Sequence, residues 1–474
     1  MGLAMTKVDY VIRGGQVVSP TATIHASVAV HEGRVVAVGE DALMPPAAEI
    51  IDATGKFVIP GAIDSHVHFR TPGYDYKEDW HTGTGAAARG GVTTVLEMPN
   101  TNPPTGTLEA LRQKQAIAKA QALVDYGIYG LLDENNIGQL EALIDAGVSG
   151  FKCFMGNTFG DLPAPSDGAM LEGFEILARR GMRCTVHAEN FSIMARRQAQ
   201  MEAAGRTDAQ AHLAARPEVC AIEAVSRAVI FAEWTGARLH IAHKSSGDAL
   251  YLLRDAKRRG VDVTVETCPQ YLLLDTGDMK RLKGILRVNP PIRDPEHPPQ
   301  LWAALKEGLI DMIATDHAPH SPEEKTRENI WKCDCGFPGV ETQMPIMLTE
   351  VNNGRLTLQD YVRISSFNPA RAWGFFPRKG AIQPGADADI VLVDMAAERT
   401  IDQGSLFSKS KITPWHGRKV KGLPMLTMVR GKVVMKDGKI LAEPGWGKPA
   451  VQEMPAPAPR NTHKTSAAIV AFKG

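Results

Sequence analysis

Two histidines two residues apart, His66 and His68, follow the apolar run FVIPGAI in Asp64-Ser65-His66-Val67-His68-Phe69-Arg70. Side chains alternate across a strand, so both imidazoles leave on one face and can share a divalent ion. The plain alternative is a surface strand that happens to carry two histidines. Lys152 stands in Gly-Phe-Lys-Cys-Phe-Met, apolar on both sides, where an unpaired ammonium costs several kcal/mol. Desolvation lowers a lysine's pKa and frees the amine. A free amine adds CO2 to give an anionic carbamate, a bidentate ligand able to bridge two metals typically ~3.5 to 4 Å apart. The alternative is a lysine paired with a barrel carboxylate. His187 in RCTVHAE and His243 in RLHIAHKS each close an apolar run and are expected to hold the second metal. Asp316 in DMIATDHAP is expected to bind the first and to act on its bridging hydroxide. A lone strand histidine is more often a core residue, whereas four at strand ends point to ligands. His240, three residues before His243, is expected on the opposite face of the pleat and is assigned a structural role. His317 is set aside as the neighbour of Asp316.

These residues need elements that carry them to one place. Eight apolar segments alternate with helical stretches: FVIPGAIDSHVHF, GVTTVLEMP, DYGIYGLL, VSGFKCFM, RCTVHAE, RLHIAHKS, DVTVETCPQ and DMIATDHAP. Runs apolar on both faces indicate a parallel sheet covered by helices, and eight of them predict a closed (β/α)8 TIM-type barrel. Its active site belongs at the strand C-terminal ends, where His66, His68, Lys152, His187, His243 and Asp316 all fall. The first 55 or so residues read as short antiparallel strands, and the same texture returns in ADIVLVD and PMLTMVRGKVVMKDGKIL. The expected division is therefore 1–56 and 377–442 as two parts of one β-sandwich, 57–376 as the barrel, and 443–474 as an extended tail that is mobile or packs on a neighbour.

The composition, 44% hydrophobic and 22% charged over 474 residues, is that of a globular protein with a large core. Lys plus Arg equal Asp plus Glu at 53 each, so no broad basic field exists to draw in nucleic acid or an anionic membrane, and a small substrate is expected. The start MGLAMTKVDY has no apolar signal core, and no stretch reaches the ~18 apolar residues of a membrane span, so a cytoplasmic location is expected. The scattered cysteines at 153, 184, 220, 268, 333 and 335 suit reduced buried thiols. Cys333 and Cys335 could bind metal or sense redox state, although no second pair completes a four-ligand site.

With those residues in place, DSHVHFR, GFKCFMG, VHAEN, IAHKSS, VETCPQYL, VNPPIRD and ATDHAPH follow in the order of the amidohydrolase superfamily. The chain resembles its cyclic amidase branch of dihydroorotases, allantoinases and hydantoinases, with KGAIQPGADADIVLVD similar to the strand pair that returns to the sandwich. The resemblance implies a binuclear, usually zinc, centre with carboxylated Lys152, a small cyclic amide as substrate, and a homo-oligomer, dimer or tetramer. Within the branch the pocket favours dihydroorotase. The family holds the dihydroorotate carboxylate with an Arg after the paired histidines, an Asn after strand two and a His after the strand-eight Asp. Arg70, Asn100 and His320 occupy those places, Asn289 in VNPPIRD completes the substrate-binding set, and Arg supplies a bidentate fork. Asn157-Thr158-Phe159 resembles the substrate-covering loop of some dihydroorotases. One departure is Ala188-Glu189-Asn190, where Cys-Glu-Asp is frequent in dihydroorotases and Ala-Glu-Asn in allantoinases and hydantoinases.

The chemistry expected is hydrolytic opening of a ring amide, with Asp316 taking a proton from the attacking hydroxide and passing it to the leaving nitrogen. For a dihydroorotase this is the reversible interconversion of L-dihydroorotate and N-carbamoyl-L-aspartate in pyrimidine synthesis. The alternatives are an allantoinase, a hydantoinase or dihydropyrimidinase, or another cyclic ureide or imide hydrolase. More remote is a non-catalytic, partner-binding homologue.

Overall fold

The computed structural model describes residues 7–156, 158 and 162–453. Five strands open the chain: β1 (Val8–Val18), β2 (Thr23–His31), β3 (Arg34–Gly39), β4 (Ala47–Asp52) and β5 (Phe57–Pro60). Next come β6 (Ala62–Val67), β7 (Val92–Glu97), β8 (Asp125–Leu132), β9 (Gly150–Phe154), β10 (Arg183–His187), β11 (Arg238–Ile241), β12 (Val263–Thr267) and β13 (Met312–Ile313). Four more follow: β14 (Ile390–Thr400), β15 (Lys419–Val429), β16 (Lys432–Lys436) and β17 (Lys439–Ile440).

β6 to β13 lie side by side in chain order and every pairing is parallel. A parallel bridge between Val67 and His317 joins the two ends, with the His68 N–H donating to the His317 carbonyl at 2.7 Å. The expected eight-stranded barrel is thus present. Strands such as β7 and β9 are buried along their whole length because helices cover the outer face, which explains their lack of polar alternation. Those helices start at side-chain caps: Asp79 before Trp80–Arg89, Thr107 before Leu108–Gln121, and Asn190 before Phe191–Ala203. At the N-terminal end of the strands, Trp373 and Phe375 pack with Ile63, Leu96, Tyr129 and Met312. The guanidinium of Arg183, first residue of β10, donates to the Ala372 carbonyl at 3.0 Å and fixes this plug.

The second sheet runs β17-β16-β15-β14-β5-β1-β2-β3, with β4 also on β1, so both termini build it as expected. It is not wholly antiparallel, because β1 pairs in parallel with β4 and with β5. The run FVIPGAIDSHVHF is also two strands: Phe57–Pro60 pairs with β14 in this sheet, and the barrel strand starts at Ala62. The handover falls at Gly61, where a Cβ would lie 2.1 Å from the Thr93 hydroxyl. Only glycine passes there. Residues 443–453 do not extend away, since Tyr126 donates to the Lys448 carbonyl at 3.0 Å and accepts from the Ala450 N–H at 2.7 Å. The PAPAPR segment and the rest of the tail lie outside the described residues.

A buried charge cluster holds barrel and sheet together. The Lys379 ammonium lies 2.7 Å from Asp125 on β8, 2.7 Å from Asp389 and 3.2 Å from Asp387, and Arg430 donates to Asp125 at 2.9 Å. Removing one partner of a buried ionic cluster strands the others without solvation, a loss of about 3 to 5 kcal/mol. Lys379→Met is therefore expected to lower the unfolding free energy measured by urea titration by that amount, and a loss below about 1 kcal/mol would mean that water already solvates the cluster.

Candidate metal centre

His66 is the penultimate residue of β6, His187 closes β10, Lys152 sits inside β9, and His68, His243 and Asp316 lie just beyond β6, β11 and β13. Together they line one cavity at the C-terminal mouth of the barrel, with Arg70, Asn100, Thr158, Asn289 and Cys335 around them. Donor atoms of His66, His68 and Asp316 fall within 4.8 Å of one another. The Asp316 carboxylate is 3.1 Å from His68 Nε2 and 3.4 Å from His66 Nε2. On the far side, His187 Nδ1 and His243 Nε2 face each other at 2.9 Å.

Most of these rings are held by their other nitrogen. His66 Nδ1 meets Glu266 at 2.5 Å, His68 Nδ1 meets the Asn100 side-chain oxygen at 2.7 Å, and His187 Nε2 meets Glu189 at 2.8 Å. Fixing one nitrogen sets the tautomer and leaves the other aimed at the centre, as outer partners of metal-binding histidines do. Glu189 is itself ion-paired to Arg216. Neither Glu266 nor Glu189 was singled out by sequence reasoning. The signal available for Glu266 was a carboxylate inside the apolar strand VTVETC, which buries a charge that needs partners.

Lys152 is fully buried, its Nζ has no hydrogen-bond partner among the described residues, and it lies 5.3 Å from the centre of the Phe154 ring. Glu266 and Asp316 act on it only electrostatically, and no carboxylate among the described residues forms an ion pair with it. Burial lowers its amine to about 8. Burial, reinforced by the Lys152 charge, takes His66 down to about 4, and it lowers His68, His187 and His243 as well. Burial raises the Asp316 carboxyl. A lysine whose ammonium burial disfavours, set with four neutral imidazoles around one carboxylate, fits divalent cations and a carbamate.

Two other clusters with donor spacing, His320/Glu324/Asp334 and Asp125/Asp387/Asp389, are already neutralised by lysines. Lys77 lies 3.0 Å from Glu324 and 2.8 Å from Asp334, and Lys379 fills the other. Cys333 and Cys335 join no donor group among the described residues.

Sequence expectation and structure part at two residues. His320 does not line the cavity; it is wholly buried behind Arg70, its Nε2 3.0 Å from a guanidinium nitrogen. His240 stays out of the cavity, but the pleat argument for it fails. β11 ends at Ile241 and His243 takes φ +35°, so both rings turn into the barrel, with His240 a layer lower against Glu266 at 3.0 Å. Asn190, part of the departure in the strand-five motif, is a helix cap accepting from the Ile193 N–H at 3.1 Å. Asn157 and Phe159 lie outside the described residues.

An eight-stranded barrel with this cavity defines a metal-dependent hydrolase, and comparison with known proteins agrees. Residues 57–434 match the Amidohydrolase family, and the chain belongs to it. It is 38% identical to an L-hydantoinase of Paenarthrobacter aurescens, covering 93% of this chain and 97% of that one. An allantoinase of Rubrobacter xylanophilus is 39% identical, again over 93% and 97%. A dihydroorotase of Methanosarcina mazei is 35% identical over 89% and 93%. The solved L-hydantoinase (dihydropyrimidinase) from Arthrobacter aurescens superimposes with a TM-score of 0.91 at 38% identity, covering 93% of this chain and 99% of that one. The protein is a metal-dependent cyclic amidohydrolase of the hydantoinase, allantoinase and dihydroorotase branch. No helix among the described residues is long and apolar enough to cross a membrane.

The depressed histidines make the metal-stripped protein acid-sensitive. Between about 6.5 and 4 the unfolded chain takes up a proton at His66 that the folded chain refuses, so stability is full above that window and falls as pH drops through it. His66 alone supplies roughly 3 kcal/mol of this slope. Urea midpoints of the metal-stripped protein at pH 7, 6 and 5 should fall in order, and His66→Gln should flatten the trend.

Proposed function

We propose that the protein hydrolyses a ring amide of a small cyclic ureide of the hydantoin or allantoin type. The observation that carries this reading is the convergence of His66, His68, Lys152, His187, His243 and Asp316 on one buried cavity. The similarity to an L-hydantoinase and to allantoinases supports the choice of ring over the dihydroorotate favoured by the motifs alone. In this reading His66, His68 and Asp316 would hold one Zn2+, His187 and His243 would hold the other, and Lys152, carboxylated by CO2, would supply an anionic ligand to the pair. The ions supply, when bound, a water that ionises near neutral pH and a Lewis acid for the amide oxygen.

The residues then divide the work. Asp316, whose carboxyl burial raises, takes the proton from the attacking water and delivers it to the leaving ring nitrogen. Arg70, Asn100 and Asn289 orient the ring's polar atoms from the cavity wall. Six free cysteines, five of them buried, suit a reducing cytoplasmic setting. A second reading, interconversion of L-dihydroorotate and N-carbamoyl-L-aspartate, is favoured by one observation: the Arg70 guanidinium lines the cavity and can grip a carboxylate.

A turnover panel of hydantoin, allantoin, dihydrouracil and dihydroorotate on zinc-replete protein should show the five-membered ureides fastest; dihydroorotate fastest would move the assignment to the second reading. Lys152→Ala should lose bound metal and turnover together, with partial rescue by short-chain carboxylates, whereas full metal content would remove the bridging role. Asp316→Asn should cut turnover by about 100-fold or more, and retention above a tenth would remove the proton-transfer role. Arg70→Met should cut turnover of dihydroorotate by roughly 30-fold and of neutral rings by clearly less, since a carbonyl takes one prong of the fork, and equal losses would mean that Arg70 only supports the loop after β6.

A further inference from the structure

We propose that Glu266 is a positioning residue that ties the two halves of the centre together, fixing the ring of His66 and the backbone of His243 with one carboxylate. The inference rests on the metal reading above.

Glu266 lies in β12 with no exposure and is placed against four donors. Its Oε1 lies 2.5 Å from His66 Nδ1 and accepts the His243 N–H at 3.1 Å. Its Oε2 accepts the Ser65 hydroxyl at 2.9 Å and lies 3.0 Å from His240 Nε2. With Nδ1–H aimed at Glu266, the lone pair of His66 sits on Nε2, the nitrogen that faces Asp316. His243 holds φ +35°, a conformation that strains a residue with a Cβ. Its N–H is pinned by the same Oε1, and from that backbone its Nε2 reaches to 2.9 Å from His187 Nδ1. One oxygen thus orients a donor of each half.

The carboxylate is itself braced from below. His240 Nδ1 lies 2.8 Å from the Thr264 hydroxyl, and the His240 ring stands edge-on to Trp373 with centroids 4.9 Å apart. The contrast is Glu189, which meets His187 and turns otherwise to Arg216, so it serves one half only.

That contrast gives the test. Metal-stripped wild type, Glu266→Gln and Glu189→Gln are titrated with Co2+ against a chelator, following the visible absorption of each bound ion. Glu266→Gln, which keeps the shape and loses the charge, should weaken both ions by about 10- to 100-fold, and Glu189→Gln should weaken one. Weakening of a single ion in Glu266→Gln, or unchanged affinities with only a lower melting temperature, would overturn the coupling. If Glu266→Gln does not fold, Ser65→Ala and His240→Gln each remove one brace of Oε2 and should still weaken both ions together; unchanged affinities in both would overturn it equally. Failure of wild type to bind Co2+ at all would instead overturn the metal reading and the coupling with it.

Discussion

An amine buried at the mouth of a barrel, with no acceptor for its protons among the described residues, is the constraint around which this cavity is organised. Lys152 sits on β9 with apolar neighbours in sequence and no hydrogen bond in space. A charged ammonium there is opposed by burial, and so are the charged forms of the imidazoles that face it. The cavity therefore gathers lone pairs and few compensating charges. In the proposed reading a carboxylate formed on Lys152 would replace a possible cation with an anion, which two divalent ions would neutralise together with Asp316. Each of the three changes makes the others more favourable, because in a low dielectric an unpaired charge of either sign is expensive. The plug of Trp373 and Phe375 at the opposite end matters to the same balance, since it keeps solvent from reaching the groups from below.

The barrel solves a problem of distance. His66 and Asp316 are 250 residues apart in the chain, yet the bridge between Val67 and His317 makes them neighbours. Strand ends fix Cα positions, but aiming two donors at one ion requires departures from regular geometry. Arg70, His243 and Asp316 all hold positive φ, at 65°, 35° and 50°, and all three border the cavity. Such conformations persist where neighbouring contacts over-determine them. For His243 the contact is the Glu266 carboxylate, and for Arg70 it includes the Pro319 carbonyl at 3.3 Å and His320.

Much of this was legible in the sequence. Apolar runs without alternation announced a covered parallel sheet, and polar residues stacked at their ends announced the site. What was not legible depended on where strands stop. The eight-run reading carried FVIP into the barrel because nothing in its composition separates it from AIDSHV; the steric demand at Gly61 does. His240 was placed by a pleat that had already ended at Ile241. Neither Glu266 nor Glu189 received a role from the sequence because their function lies in partners 200 and 2 residues away, and only the fold shows that their oxygens reach imidazoles. Residues 443–453 have no periodic pattern, yet they run along the start of β8 through backbone bonds, which leave little trace in side-chain sequence.

The substrate end of the cavity shows why a family motif does not by itself fix the ring. Arg70 is reached from behind by His320, whose Nδ1 lies 3.1 Å from Asp334, and Lys77 bridges Asp334 and Glu324. Burial and the Arg70 charge take His320 down to about 4, so a neutral imidazole braces the guanidinium. This arrangement presents a rigid donor fork to the cavity without specifying what it must hold. A ring carboxylate accepts both prongs, whereas a ureide carbonyl accepts one and leaves the second to another acceptor of the same ring. Arg70 and Asn100 are thus compatible with either substrate, and their presence carries less information about the ring than their family association suggests. Discrimination falls to the shape of the wall opposite and to the number of acceptors that a bound ring leaves unpaired, since an unmet buried donor costs more than a weak contact gains.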